Sequence, residues 1–129
     1  MAQADLATIY RNYIDCLNRQ DWGNLGRFVQ DEVRHNNTAL GLSGYRLMLQ
    51  SDFQQMPDLR FKIQMLVANP PLVAVRLWFD VAPRGKFLSL PVNGRKVSFA
   101  ENVFYEFRKD RIQEVWSIID KAAIEAQLG

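Results

Sequence analysis

The chain has 129 residues, 48% hydrophobic and 12% aromatic, which is enough apolar material for one hydrophobic core. Its 16 basic and 14 acidic residues give a formal charge of +2, which argues against nucleic acid or a membrane as an obligatory partner. One cysteine and one histidine exclude an intrachain disulfide, a cysteine cluster and a multi-histidine zinc site.

The N-terminal stretch from Met1 to Asp5 lacks a signal-peptide profile. No apolar run approaches the roughly 20 residues that a membrane-spanning helix needs. We therefore expect one domain over residues 1–129, located in the cytoplasm, with no cofactor and no metal.

Apolar residues recur at helical spacing in the first half of the chain. The first stripe consists of Leu6, Ile9, Tyr10, Tyr13, Ile14 and Leu17. Cys16 falls beside this stripe, where a thiol acts as a small buried hydrophobe rather than as a nucleophile. Asp21 is a suitable N-cap for a short second helix that carries Trp22, Leu25, Phe28 and Val29.

A third helix is predicted from about Tyr45 to Gln55, and it carries an acid, Asp52, on its apolar face. An acid inside an apolar stripe sometimes marks a functional position. More often such an acid pairs with an arginine at the edge of the stripe, and we prefer that interpretation.

The polar stretch from Asp31 to Thr38 contains the only histidine, His35, followed by Asn36. One interpretation is a plain loop. The other is a short strand or loop that presents both side chains at the mouth of a cavity. There His35 would titrate near neutrality and Asn36 would hydrogen-bond a carbonyl-bearing ligand.

Two long strands follow, over Arg60–Val67 and Leu72–Val81, because apolar and polar residues alternate in them. In the second strand the odd-numbered positions are all apolar: Val73, Val75, Leu77, Phe79 and Val81. The even-numbered face contains Arg76 and Trp78 and either faces solvent or lines a cavity. In a cavity, Arg76 would bind an anionic or carbonyl group and Trp78 would form a flat wall.

The region from Glu101 to Asp120 reads as a β-hairpin, and Asn93-Gly94 predicts a turn before it, with a strand beginning near Arg95. Strict alternation places Ile112, Glu114, Trp116, Ile118 and Asp120 on one face. If Asp120 and Glu101 border an apolar cavity, they are poised for proton transfer. The alternative is that both acids lie at solvated strand ends.

A short helix is predicted after Asp120, so three helices are followed by four long strands and a terminal helix. This order predicts an α+β domain with a mostly antiparallel sheet and helices on one face. A strongly curved sheet of this kind could form a conical pocket.

Several segments, taken in order, resemble the SnoaL-like polyketide cyclases and predicted ester cyclases of the nuclear-transport-factor-two-like superfamily. They are the stretches at 18–22, 33–36, 56–61, 73–76, 111–120 and 127–129. The sequence departs from the ester cyclase relatives in two places. It has Asp80-Val-Ala-Pro-Arg-Gly85 where they often have Gly-Thr-His-x-Gly, and Lys109-Asp-Arg-Ile112 where their usual turn is Asp-Gly-Lys-Ile.

The resemblance implies N-terminal helices packed on a strongly curved, mostly antiparallel sheet with a cone-shaped pocket. It implies a cofactor-free enzyme of isomerase or lyase type, in which Asp120 abstracts a proton next to a carbonyl and the enolate cyclises by aldol attack or is reprotonated. Glu101 would be a second acid-base group, and His35, Asn36 or Arg76 would stabilise the oxyanion.

Trp78, Tyr105 and Trp116 would line the pocket for a hydrophobic or aromatic ligand. The alternative function is a binding protein for the same kind of ligand without chemistry. In either case we expect a homodimer through the outer face of the sheet, formed by Val75, Leu77 and Phe79.

Overall fold

A computed structural model describes residues 5–129. Residues 1–4, which belong to the stretch considered above for a signal peptide, lie outside the described residues. The helices are α1 (Leu6–Asn18), a 3-10 helix (Trp22–Arg27), α2 (Gly41–Gln55) and α3 (Lys121–Leu128). The strands are β1 (Val29–His35), β2 (Thr38–Ala39), β3 (Lys62–Asn69), β4 (Leu72–Val81), β5 (Lys86–Phe87), β6 (Leu90–Pro91), β7 (Val97–Arg108) and β8 (Arg111–Ile119).

Six strands form one curved sheet in the order β2-β1-β8-β7-β4-β3, whose curl stays open. Neighbouring strands are antiparallel except β1 and β8, which are parallel. The predicted α+β class and mostly antiparallel curved sheet are confirmed. The predicted element order was incomplete, because β1 and β2 lie between the 3-10 helix and α2.

Asp5 is the N-cap of helix α1, and its carboxylate accepts hydrogen bonds from the Ala7 N–H (3.0 Å) and the Thr8 hydroxyl (2.9 Å). Its predicted apolar stripe packs into the core. At its C-terminal end, the Asn18 side chain donates to the Phe61 carbonyl (2.9 Å) and accepts from the Phe61 N–H (2.8 Å). This two-bond clamp fixes the start of β3 against α1 and orients Phe61 inward.

Strand β4 follows its predicted alternation. The odd-numbered residues from Val73 to Val81 are buried in the core, whereas Arg76 and Trp78 point to the outer, half-exposed face. The dimer surface predicted through Val75, Leu77 and Phe79 is therefore wrong, since these side chains fill the inner face.

Strand β8 departs from strict alternation because it contains a β-bulge. Ile112 pairs with Phe107 and Glu114 pairs with Glu106, so Gln113 is an extra residue in the ladder. The bulge exchanges the two faces of the strand beyond it. Ile112 and Val115 are consequently both buried, and Ile118 is 73% exposed.

Candidate functional site

A cavity of about 60 Å³ lies inside the curl of the sheet, between the C-terminal half of α2 and strands β4, β7 and β8. Seven apolar side chains line it: Met56, Leu59, Phe61, Phe79, Phe87, Phe99 and Ile119. Two acids, Asp52 and Glu101, complete the wall. The cavity thus combines an apolar lining with one pair of carboxyl groups, as small-molecule sites commonly do.

The phenyl rings of the wall support one another. Phe79 contacts Phe61 edge-to-face with ring centroids 5.4 Å apart, and its centroid lies 5.4 Å from that of Phe99. Phe87 extends the row at 5.6 Å from Phe99. Tilted and edge-to-face aromatic pairs stabilise such a cluster beyond simple burial, so this side of the cavity has a defined shape.

Glu101 reaches the cavity because it lies on the inner face of β7, in the same row as Val103, Tyr105 and Phe107. Burial raises the pKa of Glu101 to about 7. A hydrogen bond from the Ser117 hydroxyl acts in the opposite direction, and the nearby charge of Asp52 raises the pKa further.

Asp52 lies on the inner face of α2, and burial raises its pKa to about 6. Among residues 5–129, no lysine or arginine nitrogen comes within salt-bridge distance of its carboxylate. The expected pairing with an arginine is therefore wrong. Asp52 lies on the apolar face because that face borders the cavity.

Four buried tyrosines occupy the core near the acid pair and form two hydroxyl pairs. The Tyr10 hydroxyl donates to Tyr105 (3.1 Å), and the hydroxyls of Tyr13 and Tyr45 lie 2.7 Å apart. Burial raises the pKa of all four phenols, and the charge of Glu101 adds to the rise. The tyrosines stay neutral near pH 7, and Tyr105 lies in this cluster rather than in the cavity wall.

Asp120 does not border the cavity. It is exposed at the end of β8, and its carboxylate accepts a hydrogen bond from the Ala123 N–H (3.1 Å) as the N-cap of α3. The placement of Asp120 beside an apolar cavity is therefore wrong. Its carboxylate satisfies the first turn of a helix.

His35 is the last residue of β1 and Asn36 begins the turn that follows, but neither residue lines the cavity. His35 is half-buried with its ring 6.4 Å from that of Tyr45, and burial lowers its pKa. Asn36 accepts from the Ser117 N–H (2.8 Å) and donates to the Ser117 carbonyl (3.2 Å). Asn36 thereby fixes the part of β8 that carries the Ser117 hydroxyl.

Arg76, Trp78 and Trp116 lie on the outer face of the sheet, away from the cavity, which contradicts their predicted place in the pocket. Arg76 donates to the side chains of Gln64 (2.6 Å) and Asn102 (3.2 Å). Trp116 pairs across the ladder with Phe104, which is 57% exposed. The bulge in β8 explains the displacement of Trp116.

Sequence reasoning missed two contributions to the site. The position of Asp52 inside an apolar stripe was a usable signal, although the more common explanation was preferred. Ser117 had no such signal, because only the bulge brings it to the inner face. Among residues 5–129, no cluster of three or more potential metal ligands occurs, and none of the helices there is long and apolar enough to cross a membrane.

Helices packed on an open, curved sheet, with acids inside the curl, define the class of nuclear-transport-factor-two-like α+β domains. Within that class, the chain belongs to the SnoaL-like polyketide cyclase family, whose model matches residues 7–128. This membership supports a cyclase-type function in broad terms. Among curated proteins, none matches the sequence significantly.

Solved structures agree with this assignment. A SnoaL-like polyketide cyclase from Agrobacterium tumefaciens is 51% identical, with a TM-score of 0.97 over 98% of this chain and 100% of its own. IdmH from Streptomyces antibioticus is 21% identical, with a TM-score of 0.83 over 98% of this chain and 99% of its own. TsrD from Streptomyces laurentii is 22% identical, with a TM-score of 0.83 over 100% of this chain and 98% of its own. The two Streptomyces proteins show that the fold is shared.

Proposed function

We propose that the protein is a cofactor-free enzyme that moves a proton next to a carbonyl group, leading to intramolecular aldol cyclisation or isomerisation. The observation that carries the proposal is the pair of acids in one apolar cavity, with pKa values of about 6 for Asp52 and about 7 for Glu101. Between those values the pair holds one proton. It then offers one carboxylate base and one carboxylic acid together.

Asp52 is the base in this scheme, because it is the acid that ionises first. Its carboxylate takes a proton from the carbon α to the substrate carbonyl, and the C–H electron pair forms the enolate. The carboxyl proton of Glu101 is donated in a hydrogen bond to the developing oxyanion, which the apolar surroundings strengthen. The Ser117 hydroxyl acts on the same carboxyl group and lowers its pKa, which limits the rise that burial causes.

The enolate has two outcomes. In cyclisation, its carbon attacks a second carbonyl of the same molecule, a C–C bond forms, and the new alkoxide takes a proton from the acid pair. In isomerisation, the enolate takes the proton back at another carbon. Both outcomes return the pair to its singly protonated state, so neither requires a cofactor.

The test is exchange of α-hydrogens for deuterium in deuterium oxide, followed by NMR on para-fluorobenzoylpropionate, a ketone with exchangeable α-hydrogens. We expect a bell-shaped dependence of the catalysed rate on pH, with its maximum at about pH 6.5 between the two pKa values. Glu101→Gln should remove the falling limb at high pH. If the wild-type protein exchanges no faster than an Asp52→Asn/Glu101→Gln variant, the proposed chemistry is wrong.

A binding protein for a hydrophobic ligand is the second candidate, favoured by the seven apolar side chains of the cavity wall. In that case the acid pair would hold its proton without transferring it. A ligand that binds in the cavity and is recovered with no deuterium would support ligand binding without catalysis.

A cytoplasmic location stays a prediction from the sequence.

We also propose a homodimer through the outer face of the sheet. Met65, Val67, Phe104 and Ile118 are 60%, 57%, 57% and 73% exposed there, which is unusual for a group of large apolar side chains. Lys62 lies 3.2 Å from Asp80, and Arg76 donates to two neutral side-chain amides of the same face. A second copy is a suitable occupant, because in a two-fold dimer the exposed apolar side chains of the two faces would cover one another.

A further inference from the structure

The segment that joins β4 to β7, residues 82–96, is the most basic part of the chain. It contains Arg84, Lys86, Arg95 and Lys96 and no acid, and all four side chains are exposed. The rest of the chain has 12 basic and 14 acidic residues, so this one segment accounts for the positive net charge. Such a concentration of one sign attracts anions to the adjacent surface.

This basic segment also forms part of the cavity wall. Its β5–β6 hairpin is separate from the main sheet, and its Phe87 side chain points into the cavity. Lys86, the neighbour of Phe87 in β5, is exposed. The same two-residue strand therefore presents a phenyl ring to the cavity and an ammonium group to the outside.

The segment is tied to the helix that carries Asp52. The Gln55 side chain donates to the carbonyls of Arg84 (3.2 Å) and Lys86 (2.6 Å), and the Gln55 carbonyl accepts from the Arg84 N–H (3.0 Å). Gln55 lies about one helical turn beyond Asp52. Arg84 and Lys86 are thus held beside the end of α2 that borders the cavity.

Not every cation of the segment is free to bind a ligand. The Arg95 guanidinium donates to the carbonyls of Leu128 (3.1 Å) and Gln127 (3.2 Å) at the end of α3. Asp58 borders the start of the segment, where it accepts from the Ala82 N–H (3.4 Å). Within the described part of the chain, Arg84 and Lys86 have no carboxylate at salt-bridge distance.

The cavity volume limits which part of a substrate fits inside. A dry cavity that binds benzene has a volume of about 150 Å³, whereas this one has about 60 Å³. An aryl ketone must therefore displace part of the wall. The β5–β6 hairpin, which carries Phe87, lies outside the six-stranded sheet, so its displacement would break none of the hydrogen bonds of that sheet.

As an extension of the acid–base function proposed above, on which it rests, we propose that the substrate carries an oxyanion group at the end remote from its reacting carbonyl. Arg84 and Lys86 bind this carboxylate or phosphate outside the cavity, while the apolar part with the carbonyl enters beside Asp52 and Glu101. The two cations determine specificity and take no part in the proton transfer.

The experiment compares three probes by fluorine NMR titration: para-fluorobenzoylpropionate, its methyl ester and the phosphonate of the same length. We expect the two anions to bind about tenfold more tightly than the ester at low salt, and salt to reduce that preference. The ratio between carboxylate and phosphonate distinguishes the two kinds of oxyanion.

The decisive variant is Arg84→Glu/Lys86→Glu, and its matched control is Arg108→Glu/Lys109→Glu on the β7–β8 turn, with the same change of net charge. The first should abolish the preference for anions and leave ester affinity unchanged; the second should change neither by more than about twofold. Equal binding of acid and ester by the wild-type protein, no binding of either anion, or equal losses in both variants would overturn the proposal. The titrations measure binding and need no turnover. If the protein prefers the anions but catalyses no deuterium exchange, the proposed proton transfer is wrong and the proposed anion site is not.

Discussion

The two faces of the six-stranded sheet carry different kinds of side chain, although the same strands form both. On the inner face of β7, Glu101 lies in a cavity where burial raises its pKa to about 7. The adjacent residue Asn102 and the next outer residue, Phe104, are exposed on the opposite face. Neighbouring residues of one strand thus meet an acid–base site with apolar walls on one side and an exposed apolar surface on the other.

The comparison shows that the face of the strand on which a residue lies, rather than its residue type, decides whether an acid or an aromatic ring reaches the cavity. Glu101 and Asp120 both lie at ends of the predicted hairpin, yet only Glu101 reaches the cavity. Trp116 is as apolar as the phenylalanines of the wall, and the bulge in β8 places it outside. A one-residue change of register is enough to exchange these roles.

The largest expected effect is on the rate of deuterium exchange, which should depend on Asp52 and not on Asp120. Asp52→Asn removes the proposed base and should slow deuterium exchange about a hundredfold or more. Asp120→Asn should keep the rate within about twofold, because Asp120 is outside the cavity and asparagine also caps helices well. Near-equal losses in both variants, measured at about pH 6.5 by NMR, would contradict the distinction between the two acids.

The inner face should also make stability depend on pH. The folded-state pKa of Glu101, about 7, is raised above its ordinary value of 4.5, so the folded protein binds this proton more tightly than the unfolded chain does. The stabilisation is full below about pH 4.5 and is lost as the pH rises towards about 7.

Glu101→Gln removes this dependence. Relative to the wild-type protein, the variant should gain about 3 kcal/mol in free energy of unfolding between about pH 4 and pH 8. Urea unfolding of both proteins at a series of pH values measures the difference, in which contributions from groups that do not interact with Glu101 cancel. A difference that does not change with pH would mean that Glu101 is well solvated.

Substitutions on the outer face of the sheet should change dimerisation without changing the acid–base site. Ile118→Glu puts a charge into the exposed apolar surface and should raise the dimer dissociation constant at least about tenfold, since a buried unpaired charge is costly. Leu47→Glu is the control, because Leu47 is a comparably exposed apolar residue (66%) on α2. Sedimentation velocity measures the masses; a wild-type monomer at micromolar concentration would refute the dimer.

Periodicity predicted much of the fold because most elements bury one continuous face. The stripe of α1 and the alternation of β4 led directly to the core. Strand β1 was harder to predict, because it contains several polar residues and pairs with a strand distant in sequence, β8. Sequence patterns near Val29 to His35 do not reveal such a partner.

The site was less predictable than the fold. The sequence predicts Glu101 as an acid at one end of the hairpin and shows Asp52 as an acid in an apolar stripe. Asp52 and Glu101 line the same cavity because α2 packs inside the curved sheet. That packing is tertiary structure, which the local sequence pattern does not reveal. The positions of Ser117 and Trp116 depend on the bulge at Gln113, and nothing in the alternation of apolar residues marks it.

The most direct test of the central claim is a carboxyl carbon NMR titration of Glu101, with Glu101→Gln as the assignment control. The structure predicts a pKa of about 7, caused mainly by burial in the cavity. It also predicts that Asp52→Asn lowers this pKa, because the charge of Asp52 contributes to the rise. An ordinary pKa near 4.5 that does not respond to Asp52→Asn would contradict a coupled acid pair inside the sheet.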